Sequence, residues 1–201
     1  MDFIELVKGV LLSPTETFRK VRPADLGETL KYYLILVVIY TILSVIIILV
    51  AISSAWAVIA ALLPALGLTA PAVAGLGIIL IAIILIFVHL LVLFIGAAWV
   101  HLWVWLLGGR KGYMMTLKAL AYGDTPYLLL GWIPFIGIFG ALWSFILWII
   151  GVKELHEISS GRAAAAVILA ALVILIFIIL IAAVFLIAAV SVIPGSPMPA
   201  Y

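Results

Sequence analysis

The stretch TLKALAYGDTPYLLLGWIPFIGIFGALWSFILWIIGV, Thr116 to Val152, decides how many times this chain crosses a membrane. Averaged hydropathy takes Tyr127 to Ile150 as one span and gives four in all. A rise from Thr116 to Trp132, a turn at Ile133-Pro134 and a return from Phe135 to Val152 give five. Charge separates the two. Lys8, Arg19, Lys20, Arg22 and Lys31 precede the first long apolar run, Arg110, Lys111 and Lys118 follow the second, and Lys153 and Arg162 stand before the last. Basic connections stay cytoplasmic. Five spans put all 10 Lys and Arg on that side, whereas four spans leave Lys153 and Arg162 outside. A re-entrant hairpin over the same residues gives the same charge topology, and that alternative stays open here.

Composition makes lipid the solvent. The 201 residues are 69% hydrophobic and 9% charged, with a mean hydropathy of +1.52, against roughly half apolar and about a quarter charged in a soluble domain. A net charge of +2 is too small to indicate nucleic acid. Its one-sided placement points to anionic headgroups of the inner leaflet. Met1 to Leu12 mixes Asp2, Glu5 and Lys8 into its apolar residues, so no cleavable signal peptide is expected there. There is no Cys, which removes disulfides and thiolate chemistry, and Asn and Gln are missing too. Depletion of these thermolabile types predicts a thermophilic prokaryotic source.

The expected architecture is all-α: a polytopic integral membrane bundle of five transmembrane helices, N-terminus cytoplasmic and C-terminus outside. Residues 1–31 form a cytoplasmic amphipathic segment at the interface. Helix starts are expected at Ser13-Pro14-Thr15-Glu16, with Ser13 as cap, and at Asp25-Leu26-Gly27-Glu28. The transmembrane domain, 32–193, has spans at about 32–63, 78–107, 116–132, 135–152 and 163–193. Residues 64–77 are read as an external loop and 194–201 as an external tail.

Asp124 is the most telling polar residue, since a carboxylate in a span costs roughly 2.5 to 3.5 kcal/mol. Pro126 removes the donor that Tyr122 O would otherwise receive and predicts a kink. Asp124 is read either as a structural residue bonded at that kink or as a proton or cation site. His101 lies ~9 Å and Asp124 ~12 Å from the cytoplasmic ends of their spans at 1.5 Å per residue. An interhelical pair between them is therefore allowed by depth. His89, near the middle of the second span, is ~18 Å from His101, too far for one metal ion to bridge. No metal or other cofactor is expected.

Three motifs fail. His156-Glu157 starts a zincin pattern, but the second His is replaced by Ser160; Gly109-Arg110-Lys111-Gly112 lacks phosphate-loop spacing; Lys153 and Glu157 read as a helical (i, i+4) pair. No catalytic constellation appears. Gly137 with Ala141, and Gly140 with Ser144, place small residues four apart for close helix packing. Internal packing is favoured over a homo-oligomer contact. Arg19, Lys20, Arg22, Arg110 and Lys111 are expected at lipid headgroups, and Pro134 at the turn.

Pro14-x-x-Thr17-Phe18, TLKALAYGDTPYLLLGWIPFIG and LWIIGVKELHEISSGRAAAAVI together resemble the Yip-domain family of polytopic membrane proteins, named for interaction with Ypt/Rab GTPases. The resemblance covers about residues 10 to 190 and implies five spans with a cytoplasmic N-terminus. Eukaryotic relatives bind lipid-modified Rab proteins partly through a long N-terminal region. Only about thirty residues precede the first span here, so the trafficking role is not carried over. The expectation is a non-enzymatic scaffold of the cell membrane that organises membrane or binds protein or lipid partners. The alternative is a small transporter or proton pathway using Asp124, His101 and His89.

Overall fold

The computed structural model describes residues 2–51, 61, 64 and 70–192, and all regular structure among them is helical. In chain order the helices are α1 (Phe3–Leu12), α2 (Pro14–Lys20), α3 (Leu26–Ala51), α4 (Ala70–Leu106), α5 (Tyr113–Gly123), α6 (Thr125–Leu130), α7 (Ile136–His156) and α8 (Ser160–Val192). Four candidate spans are long and apolar enough to cross a membrane: Leu26–Val50, Gly75–Leu106, Ile136–His156 and Ser160–Ala189. Helix is the form such sequences must take, because hydrocarbon offers the backbone no hydrogen-bond partner.

Local signals set most boundaries. Asp25 Oδ1 accepts from Glu28 N at 2.7 Å and Glu28 Oε2 from Asp25 N at 3.3 Å, a reciprocal cap that starts α3 as the sequence suggests. Ser13 does not cap α2 through its side chain. Its carbonyl instead accepts from Thr17 Oγ1 at 2.9 Å, and Pro14 alone supplies the expected start signal. The second long helix begins at Ala70 and not at Ile78, so the expected loop is helical from there on. Pro71 fits because a first-turn residue has no intrahelical acceptor for its N–H. The expected end of the first span and the external tail lie outside the described residues, apart from Ala61 and Pro64.

The decisive stretch forms a hairpin. After the turn at 107–112, α5 rises to Gly123, the chain is interrupted at Asp124, and α6 continues to Leu130. Residues 131–135 reverse it, with Phe135 at φ 67°, and α7 returns against both α5 and α6. Thr116 Oγ1 lies 2.9 Å from His156 Nε2, so the chain leaves this hairpin at the end where it entered. Tyr127 to Ile150 is therefore not one continuous helix. Residues 113–130 hold two helices, of 11 and 6 residues, and neither is among the four candidate spans.

Close packing replaces the hydrophobic drive that lipid cannot supply. A Cβ on Gly123 would lie 2.5 Å from Trp148 Cδ1, and one on Gly140 2.9 Å from Pro126 O. Gly137 is as tight against Gly131 O, and Ser144 is buried on the same seam, while Ala141 is exposed. Gly137, Gly140 and Ser144 thus serve the hairpin's own packing. Phe18 of α2 is fully buried against α7, where a Cβ on Gly151 would meet its ring at 2.8 Å. Ala163, Ala166, Val167 and Ala170 bury the start of α8, and residues 171–189 are exposed apart from half-buried Val173.

Candidate functional site

The interruption at Asp124 collects the polar groups inside the bundle. Pro126 has no N–H to give Tyr122 O, and Thr125 Oγ1 donates to that carbonyl instead, at 2.6 Å. The hydroxyl has one hydrogen, so in its 2.8 Å contact with Tyr32 OH it is the acceptor. Tyr127 N donates to Ser144 Oγ of α7 at 3.0 Å. The backbone groups loosened by the kink are thus satisfied by hydroxyls, as an irregular backbone in a bilayer requires.

Asp124 accepts from two helices. Trp148 Nε1 of α7 donates to Oδ1 at 2.9 Å, and Tyr33 OH of α3 donates to Oδ2 at 3.5 Å. Among the described residues no cation pairs with it. The single Tyr33 hydrogen is shared with His89 O, an alternative acceptor 3.4 Å away, and Tyr40 OH stands 3.4 Å from Tyr127 OH. His89 turns its Nδ1 to Leu85 O of its own helix, at 2.8 Å, with its ring 5.0 Å from that of Tyr40.

His101 and Asp124 are not brought together, so the pair allowed by depth is replaced by another. His101 Nδ1 lies 2.8 Å from Thr116 Oγ1, which also contacts His156 Nε2 at 2.9 Å. Thr116 and His156 are almost wholly buried. One hydroxyl hydrogen cannot serve both imidazoles, so Thr116 accepts from at least one of them. Three helices, α4, α5 and α7, are joined through this single oxygen. Depth gives only one coordinate, and helix azimuth faces His101 toward Thr116. Neither Thr116 nor Trp148 carries a sequence signal of its own, and His156 has only the failed zinc pattern.

A charged cap closes the same end. Arg19 Nε pairs with buried Glu154 at 2.7 Å, and Lys153 reaches the other oxygen of Glu154 at 3.0 Å. Arg22 bonds both Glu157 and Glu154 O, and Lys111 pairs with Glu157 at 2.5 Å. The expected Lys153–Glu157 helical pair is not formed, because α7 ends at His156 and Glu157 adopts a left-handed φ of 55°. Lys111 and Arg22 hold the Glu157 carboxyl below its ordinary range. Buried Lys118 donates to Arg22 O at 2.6 Å. Arg110 stacks 4.5 Å over the Trp105 ring and donates to Trp105 O at 2.6 Å. Lys20 is exposed and, among the described residues, has no ion-pair partner. Of the five cations expected at headgroups, Arg19, Arg22 and Lys111 thus have carboxylate partners and Arg110 is held by Trp105, which periodicity cannot reveal.

No curated protein and no solved structure matches the chain. Residues 8–193 match the family described as Yip1 domain, a range that takes in α2, the broken hairpin and the charged elbow before α8. With nearly all of its length inside that match, the chain belongs to the Yip1-domain family.

Proposed function

We propose that this multi-pass membrane protein is a non-enzymatic scaffold of the cell membrane, with five spans, the N-terminus in the cytoplasm and the C-terminus outside. The observation that carries the reading is how its buried polar groups are used. Asp124, Thr125, His101, Thr116 and His156 bond to one another's helices and tie the bundle together. The groups left facing outward lie at the cytoplasmic cap and on lipid-facing helix surfaces, where protein or lipid partners are met. Asp124, His101 and His89 are therefore read as structural. The hairpin of α5, α6 and α7 supplies the third and fourth spans, with basic residues gathered at its shared end.

The rival reading is a proton or cation pathway through Asp124, and one observation favours it: the carboxyl has only neutral described partners. Liposome reconstitution decides between them. The scaffold reading expects no pH-dependent flux above that of empty vesicles. A flux that Asp124→Asn abolishes in a folded protein overturns it. The topology is tested on the Cys-free chain. Cysteine at Ser159 should label from the cytoplasm and cysteine at exposed Phe135 from outside. Labelling of Ser159→Cys from outside would restore four spans.

A further inference from the structure

Between the N-terminal helices and α3 lies an open groove of about 590 Å³, lined among others by Lys20, Lys31, Asp2, Glu28, Phe3 and Ile35. Its position needs only the membrane embedding established above. Lys20 and Lys31 are exposed and, among the described residues, neither ammonium has an ion-pair partner. They differ in this from Arg19, Arg22, Lys111 and Lys153, all of which are paired. Glu28 uses Oε2 on the cap of α3 and has no described donor on Oε1, and Asp2 caps α1 while remaining exposed. The lining thus carries two positive and two negative side chains beside the lipid-exposed flank at Ile35.

We propose that this groove binds a membrane phospholipid whose headgroup joins a phosphate to a primary ammonium, with Lys20 and Lys31 on the phosphate and Glu28 and Asp2 on the ammonium. A lining of net zero charge gives a purely anionic headgroup little attraction, whereas a zwitterion aligned along it gains at both ends. The ammonium is primary because a carboxylate recognises it by accepting N–H hydrogen bonds. A trimethylammonium offers none and needs exposed aromatic faces. The tyrosine faces are already occupied: Tyr32 and Tyr122 are almost wholly buried, with ring centroids 4.9 Å apart, and half-buried Phe3 packs on Tyr32 at 5.5 Å. The acyl chains run out past Ile35, which is 36% exposed.

The full-length protein, exchanged into nanodiscs of equal phosphatidylethanolamine, phosphatidylcholine and phosphatidylglycerol and released into native mass spectrometry, tests this. The wild type should retain phosphatidylethanolamine about tenfold over either of the others, the scale of one charge-assisted hydrogen bond. Lys20→Gln with Lys31→Gln should lose that preference at unchanged melting temperature, since both ammoniums are exposed. Glu28→Gln should shift retention toward phosphatidylglycerol. Equal retention of the three lipids, or selection of phosphatidylglycerol, by the wild type overturns the proposal whether or not any variant folds. Full displacement by soluble phosphoethanolamine overturns the lipid as occupant and leaves a site for a free phosphomonoester. A double lysine variant that keeps the wild-type preference overturns the assignment of the phosphate site.

Discussion

The indole of Trp148 reaches Asp124 at 2.9 Å through space that Gly123 leaves open, because any Cβ at residue 123 would strike the same ring. Donor, acceptor and the missing side chain form one contact between α5 and α7. Asp124→Ala leaves a buried N–H without an acceptor and should destabilise the bundle by about 1–3 kcal/mol. Trp148→Phe should do the same. The double variant should cost clearly less than the sum, because the two share one bond. Unfolding in mixed micelles measures this, and strict additivity would refute the coupling. Gly123→Ala should be at least as damaging, since the ring must shift.

Thr116 is the single oxygen between two imidazoles. Thr116→Val keeps shape and removes both bonds, so a loss of about 1–3 kcal/mol is expected. Thr116→Ser should restore most of it. If the valine and serine variants melt together, the hydroxyl carries nothing.

Phe18 seats on Gly151, where an added Cβ would also lie 3.0 Å from Ala119 Cα. Gly151→Ala should loosen α2 from the bundle and leave the long helices assembled. Limited tryptic digestion should then cut after Arg19 and Lys20 at least several-fold faster than in the wild type. Unchanged cleavage would mean that α2 is held by its ion pairs alone.

Acidification should release the same cap by a different route. Glu157 is held below its ordinary pKa by Lys111 and Arg22. Its contribution is therefore complete above the unfolded value of about 4.3 and is lost as pH falls through the lower folded value. A spin label at exposed Glu16 should stay immobilised at pH 5 and gain mobility only on further acidification. High salt should also mobilise it, because the pair is exposed to solvent. Release already complete at pH 5 would contradict the assignment.

Much of this fold is legible in one dimension. Basic residues, Pro134 and the cap at Asp25 each act within a few positions of themselves, so the hairpin, its turn and the start of α3 follow from local reading. What escapes is azimuth. His101 and Asp124 have similar depths, yet helix rotation gives one to Thr116 and the other to Trp148. Arg19 and Arg22 look free in sequence because their partners, Glu154 and Glu157, lie more than a hundred residues away. Ser13 misleads for a local reason: its carbonyl, and not its hydroxyl, is engaged by Thr17.

The hairpin that begins near Thr116 and ends near His156 starts and finishes at one end of the bundle. An element of that kind has even parity: it can lengthen, shorten or be lost without inverting the direction of the helix that follows. The sense of α8 relative to α4 therefore does not depend on the length of residues 113–156.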